Sequence, residues 1–359
     1  MSRFRYCLSE VAGRGAGLGN EMIPWARAFL AAQLLGARTL APAFGLNPRR
    51  YWRHFGSSRL DWLGHRALKA ALPVVAFTES DYLRHGGGDV VSALRGFARE
   101  QSLMTRKAFV LSTGGMWGGM QHIEAARGHM ASLLYQSRFA AGNLLRLRER
   151  LDPGRLTVGL HVRQGDFEPA RDPAAYRGQF NVALPLAWYR RVAASIHQQL
   201  DGAVQFLIVS DARPEQLQDL SRGLPCVFSG DLPDSDCSDL LALAEADLLV
   251  CSISSYSVWA AFLSRAPYLW YGPNLHEHPE GFLSIWGHEP GQQAEPGGTF
   301  RALQACQGAG RLPRRCFAIA DDGQVSAQAL DLAWQLKGRA ETDLIRYGVI
   351  PAVPGMEAG

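Results

Sequence analysis

An imidazole, a guanidinium and a carboxylate stand close together in His161-Val162-Arg163-Gln164-Gly165-Asp166-Phe167. They follow Leu156-Thr157-Val158-Gly159-Leu160, an apolar run that stops abruptly at polar residues. Short runs of this kind read as buried strands of a parallel sheet. Arginine presents a planar fork of donors matched to phosphate oxygens, and it stays charged at any physiological pH. A glycine at 165 permits a sharp turn, which brings the Asp166 carboxylate beside the guanidinium. The grouping suits a site for a phosphorylated ligand. It equally suits a structural Arg–Asp pair capping the end of a strand.

Other residues offer related chemistry. Gly13, Gly15, Gly17 and Gly19 alternate ahead of Asn20, and an Ala/Leu-rich helix is predicted from Glu21 to Leu35 with Gly36 just past its end. A glycine-rich turn that opens a helix can bind an anion through its backbone N–H groups. It is neither familiar phosphate loop: the last position of G-x-G-x-x-G falls on Leu18, and no Lys-Ser/Thr follows. Ser252-Ile253-Ser254-Ser255-Tyr256-Ser257 opens another helix, either as ordinary caps or as the hydroxyls and free N–H groups that a diphosphate needs. Asp211 ends an apolar run, where it accepts from a base or ribose hydroxyl or caps the next helix. Asp234-Ser235-Asp236 matches the D-x-D that holds manganese in one large class of sugar-nucleotide enzymes. Because Asp231 and Asp239 crowd the same helix start, a favourable dipole is the preferred explanation. Trp117, among the glycines of 112–120, is read as packing beneath its loop rather than as a sugar platform. His276-Glu277-His278 lacks the H-E-x-x-H spacing and is read as loop, and no G-x-S-x-G is present.

The elements that must position these residues alternate most cleanly in the second half. Strands are predicted at 156–162, 204–209, 226–228, 247–251 and 268–271, with helices at 186–200, after Pro214, at 238–246 and up to Ser264. This alternation implies a parallel, doubly wound sheet. The polar ends at His161/Arg163, Asp211 and Ser254–Ser257 would line one crevice beyond its strands. The first half is weaker, with strands at 4–8, 38–41, 73–77 and 107–111 between helical or irregular pieces. A charged helix over 138–151 ends at Asp152-Pro153-Gly154, giving two expected domains, 1–151 and 152–359. Pro279–Gly298 reads as a long loop and Val353–Gly359 as a disordered tail.

Composition narrows the classes. A chain of 359 residues is comfortable for two domains. Its 37 basic and 33 acidic residues leave a small excess with no lysine-rich arm, so no nucleic-acid partner is expected. Six cysteines without a C-x-x-C suit reduced, buried thiols, and a Cys306–Cys316 bridge stays open. Met1–Val11 has no apolar core and no stretch reaches membrane-spanning length, so the chain is expected in the cytoplasm with at most peripheral membrane contact.

Three stretches match one family in order. Gly17-Leu18-Gly19-Asn20-Glu21-Met22, running into Trp25-Ala26, resembles the G-L-G-N-Q-M opening of bacterial α-1,2-fucosyltransferases. His161-Val162-Arg163-Gln164-Gly165-Asp166-Phe167 is similar to their H-x-R-R-G-D-Y motif. Asp239-Leu240-Leu241-Ala242-Leu243 through Ser254-Ser255-Tyr256-Ser257-Val258-Trp259-Ala260-Ala261 resembles their D-L-x-L-M-S … S-S-F-S-W-W-x-A segment. Between them Ile208-Val209-Ser210-Asp211 is similar to an S-D-D strand end. Protein O-fucosyltransferases and α-1,6-fucosyltransferases share weaker forms of these motifs. The chain departs from the pattern at Glu21 for Gln, Gln164 for the second Arg and Val258 for one Trp.

The resemblance implies an α/β chain of GT-B type, with two Rossmann-like domains facing a cleft. It implies a hexosyltransferase that moves a sugar, L-fucose from GDP-fucose above all, onto a glycan hydroxyl with inversion and with no metal or other cofactor. The acceptor would be a carbohydrate, either an oligosaccharide or a lipid-linked glycan. Arg163 would hold the departing β-phosphate with His161 nearby; Gly17, Gly19 and Asn20 would approach the diphosphate from the other domain. Ser254, Ser255, Tyr256 and Ser257 would serve the phosphates, and Asp211 would sit at the guanosine. Asp166 and Glu168 rank ahead of Asp172 and Glu21 as the base. Alternatives are a different nucleotide sugar on the same fold, a silent GDP-sugar-binding protein, or a metal-dependent single-domain transferase.

Overall fold

In the first unit, Phe4–Ser9 forms β1 and Leu18–Leu35 forms α1. The helix starts three residues ahead of the predicted Glu21. Gly17 is extended, and the Leu18 N–H donates to the Tyr51 hydroxyl at 2.9 Å, which gives one orphan N–H of the first turn a partner. Buried residues lie all round α1, so it is a core helix rather than an amphipathic one. Gly36 ends it in the left-handed conformation, φ 59° and ψ 41°. The chain continues through β2 (Arg38–Thr39), α2 (Asp61–Ala71), β3 (Val74–Phe77), α3 (Glu79–Arg84), α4 (Val90–Glu100), β4 (Ala108–Thr113) and α5 (Arg127–Tyr135). The four strands pair in parallel in the order β2-β1-β4-β3.

This computed structural model describes residues 4–11, 16–86, 90–117, 123–169, 182–274, 276–277, 283–284 and 315–338. Gly13, Gly15, Asp172, Cys306, most of Pro279–Gly298 and the Val353–Gly359 tail lie outside them. The chain divides into two compact units after Arg138, with the second running from Phe139 to Arg346. The division falls one helix ahead of the Asp152-Pro153-Gly154 turn. The helix at Ala140–Arg150, α6, belongs with the second unit because Asn143 donates to the Pro233 carbonyl and to Ser238 Oγ. Arg148 pairs with Glu245 and Arg150 with Asp231 on the same side.

The second unit continues with β5 (Leu156–Val162), β6 (Glu168–Pro169), β7 (Val182–Ala183), α7 (Leu186–Gln199), β8 (Val204–Ser210), α8 (Pro214–Ser221) and β9 (Cys226–Phe228). Then come α9 (Asp236–Glu245), β10 (Leu248–Val250), α10 (Ser255–Leu263), β11 (Tyr268–Tyr271), β12 (His276–Glu277), β13 (Leu283–Ser284), β14 (Cys316–Ile319) and α11 (Ala327–Leu336). His276–Glu277, read as loop, forms a two-residue antiparallel pair with Leu283–Ser284.

The main sheet is wholly parallel, ordered β14-β11-β10-β5-β8-β9. From β5 the chain steps outward through β8 and β9, then returns to the other side of β5 for β10, β11 and β14. That is the doubly wound order of nucleotide-binding sheets, and its reversal between β5 and β10 is a topological switch point where ligands bind. Leu156, Val158, Leu160 and Val162 of β5 pack with Val204, Phe206, Ile208 and Trp188 in one core. The described residues are therefore α/β, with a four-stranded parallel sheet in the first unit and a six-stranded one in the second. No helix among the described residues is long and apolar enough to cross a membrane.

Candidate functional site

The exit of β5 is held from the neighbouring strand. Asp211, just past β8, accepts the Gln164 backbone N–H at 2.8 Å through Oδ1 and meets Arg163 Nη1 at 2.5 Å through Oδ2. Arg163 Nη2 donates to Asp166, and the guanidinium carbon lies 5.1 Å from the Phe167 ring centroid. A Cβ at residue 165 would sit 2.4 Å from Asp211 Oδ2, so any side chain there displaces the carboxylate that orients Arg163. Gln164, where the family pattern has a second arginine, donates its side-chain amide to the Leu184 carbonyl. Ser210 stitches the two strand ends: its hydroxyl donates to the Val162 carbonyl at 2.6 Å and accepts the Ala212 N–H.

Arg163 is therefore neither free nor sunk. Its side chain is 18% exposed, that of Asp211 29% and that of Asp166 54%. Ion pairs this open to water contribute little to stability, so they are better regarded as exchangeable partners than as a staple. The grouping carries two carboxylates against one cation. The two carboxylates engage Nη1 and Nη2 of a five-donor guanidinium, and Asp166, the more exposed of them, is the one an incoming phosphate displaces most readily.

On the other side of β5, His161 turns toward α10. Its Nδ1 is 2.6 Å from Ser257 Oγ, which also accepts the Ser252 backbone N–H. Burial pushes the His161 imidazole down to about 3, with Arg163 adding to the effect, so the ring is neutral near pH 7. With one N–H already received by Ser257 Oγ, the simplest arrangement has its hydroxyl donate to Nδ1 and leaves the ring proton on Nε2. Ser257 is fully buried and spent on this contact. Ser254 caps α10 by accepting the Tyr256 N–H at 3.2 Å. The Tyr256 ring lies 5.1 Å from His161, and its hydroxyl donates to the Asp236 carbonyl. Ser254 and Ser255 remain half-buried at the helix start.

The aspartates of 231–239 disperse. Asp231 pairs with Arg150, whereas Asp239 turns inward and accepts the Ser235 hydroxyl at 2.8 Å. Burial pushes the Asp239 carboxyl up to about 7 against the pull of that hydrogen bond. Glu168, on β6, is exposed, and no hydrogen bond or ion pair engages its carboxylate among the described residues.

In the first unit, Gly17 stands ahead of α1, while Gly19 and Asn20 occupy its first turn with Asn20 half-buried. Glu21 is 2% exposed. Sequence reading passed over Arg27, which sits inside α1 with 1% exposure. It donates to Thr113 Oγ1 and to the carbonyls of Gly114, Gly115 and Trp117, and its guanidinium carbon is 3.5 Å from the Trp117 ring centroid. Tyr82 and Phe77 flank the same indole. Trp117 packs beneath its loop.

Within the second unit, the structure brings together Arg163, Asp166 and Asp211 in one group, and His161, Tyr256 and Ser257 in the other, joined through the two-residue step along β5. Ser210 and Phe167 stand inside the motifs quoted from the sequence but carried no role there; the signals for one were a serine at a strand end and for the other an aromatic after Gly-Asp. No protein-family model and no curated protein matches the chain. Among solved structures, it is similar to POFUT1 in complex with GDP-fucose, with TM-score 0.45 and 12% identity over 76% of this chain and 99% of that one. It is also similar to the fucosyltransferase NodZ from Bradyrhizobium, with TM-score 0.41 and 14% identity over 72% of this chain and 93% of that one. A third likeness is to the glycosyltransferase SnogD from Streptomyces nogalater, with TM-score 0.37 and 11% identity over 98% of this chain and 96% of that one.

Proposed function

We propose that this chain is an inverting glycosyltransferase that needs no metal and moves a sugar, L-fucose from GDP-fucose in the primary reading, onto a glycan hydroxyl. The observation that supports it is the placing of Arg163: a partly exposed guanidinium beside a topological switch point, oriented by Asp211, which is itself anchored by a backbone N–H. The ordered motifs support the choice of donor.

In the reaction, the bond between the anomeric carbon and the β-phosphate oxygen breaks, and its electron pair stays on the phosphate. Arg163 leaves Asp166 and meets that growing charge, so its interaction is stronger in the transition state than before it. Ser254, Ser255 and the first-turn N–H groups of α10 serve the diphosphate, and neutral His161 contributes a hydrogen bond rather than a charge. The acceptor oxygen attacks from the opposite face and gives up its proton. Glu168 is preferred over Asp166 as the base, because Asp166 is engaged with Arg163 while Glu168 is exposed and uncommitted among the described residues.

The test is GDP-fucose turnover with a panel of glycan acceptors, run on the parent and Arg163→Ala. The expected loss is at least about 100-fold, which corresponds to about 2.7 kcal/mol, with unchanged unfolding. GDP binding with no turnover on any acceptor would point to a silent binding protein, and turnover that survives the substitution would remove Arg163 from the chemistry.

A further inference from the structure

Helix α2 carries apolar residues on both of its sides. Leu63, Ala67, Ala70 and Ala71 face outward beside Arg66, with Leu60 just ahead of the helix, while Asp61, Trp62, His65, Leu68 and Lys69 lie half-buried on the other side. None of its residues is buried. Leu60 is 63% exposed and Leu63 46%. The half-buried side is occupied: Lys69 bridges to Glu10, and Asp61 accepts the Ser58 N–H and hydroxyl at the helix start. A water-facing helix ordinarily keeps its leucines on the covered side, so the outward strip at 60 and 63 is surplus to the packing of this unit.

The charge around this helix is equally lopsided. Residues 49–71 carry six basic side chains against one acidic, which leaves 31 basic and 32 acidic residues for the rest of the chain. Arg49, Arg50, Arg59 and Arg66 are exposed. Arg59 stacks near Trp52 and Arg66 near Trp62, which ties the cations to this corner. An exposed apolar strip rimmed by arginines and tryptophans is the composition of a helix that lies in a membrane interface.

We infer that α2 docks on a membrane surface bearing anionic phospholipids, with Leu60, Leu63 and the outward alanines among the acyl chains and the four arginines at the lipid phosphates. The inference rests on the first unit alone and is independent of the sugar-transfer reading. A second copy of the chain fits less well, since pairing two such faces would bring two arginine rims together. A nucleic acid would neutralise the cations and leave the leucines in water.

Flotation of the full chain with phosphatidylcholine vesicles, with and without phosphatidylglycerol, tests it. Binding should require phosphatidylglycerol and weaken with salt. The pair Arg59→Glu/Arg66→Glu should lower partitioning at least about tenfold. The pair Leu60→Glu/Leu63→Glu should do the same without altering the unfolding transition, because both leucines are exposed. Equal binding to phosphatidylcholine alone, no binding to either vesicle, or full binding by the leucine variant would each overturn the inference. So would a lipid-free dimer that dissociates on the leucine substitutions.

Discussion

Arg27 and Arg163 each lie beside the carboxyl end of a central parallel strand, and they are spent in opposite ways. Arg27 gives its N–H groups to Thr113 Oγ1 and to three backbone carbonyls of the loop after β4. Among the described residues no carboxylate hydrogen-bonds it, and burial pulls its guanidinium down to about 9, which still leaves it charged at neutral pH. Arg163 instead pairs with two carboxylates that water reaches. Neutral carbonyls fixed in a loop cannot leave, so Arg27 is a strut. Hydrated carboxylates can, so Arg163 is a cation held ready for another anion. Position at a strand end does not make an arginine a ligand; exchangeable partners do.

Stability measurements should separate the two most widely. Arg27→Met strands one hydroxyl and three carbonyls, and urea unfolding should give a loss of at least about 3 kcal/mol. Arg163→Met should cost no more than about 1 kcal/mol. The reverse order would dissolve the contrast.

A buried acid sharpens it from the other side. Among the described residues no cation pairs with Asp239, and burial pushes its carboxyl up to about 7 in the folded chain, from 3.8 for the ordinary group. As pH rises through that window, the unfolded chain has released a proton that the folded chain keeps. Stability from this group is full below the lower value and is lost toward the higher one, at up to about 1.4 kcal/mol per pH unit. Asp239→Asn should flatten that slope in unfolding curves taken across the window. A slope identical to the parent's would mean that Asp239 ionises normally.

The smaller effects concern Arg163's partners. Gly165→Ala should push the Asp211 carboxylate aside and weaken GDP binding by roughly tenfold, about 1.4 kcal/mol. Asp166→Asn should leave GDP binding unchanged or a few-fold tighter, since it removes a competitor for the guanidinium. If calorimetry finds that Asp166→Asn weakens GDP as much as Gly165→Ala does, the two carboxylates are not playing different parts.

How far these relations were legible in the sequence follows from their range. β5, β8 and β11 were readable because each is an apolar run bounded by polar or turn residues. The helices between Asp61 and Arg84 were not. In α2 the apolar residues are split between the covered side (Trp62, Leu68) and the outward one (Leu63 and the alanines) and so give no single-faced signal, and α3 depends on a six-residue segment capped by Thr78 and Asp81. β14 and α11 lie beyond the loop-like segment and carried no motif. Arg163 and Asp211 were both marked as strand ends, but their pairing needs the β5–β8 register, in which Val162 faces Ser210. Ser257 looked like a ligand hydroxyl until the fold turned it inward to His161. Arg27 gave no warning beyond the apolar residues on all sides of it in α1.

The account rests most directly on Arg163 exchanging a carboxylate for a nucleotide phosphate. Titration calorimetry of GDP, UDP, ADP and CMP into the parent and Arg163→Ala tests that claim. The account predicts a preference for GDP, with affinity falling at least about tenfold in the variant while its unfolding is unchanged. Equal GDP affinity in the two proteins, or a parent that binds none of the four, would contradict it.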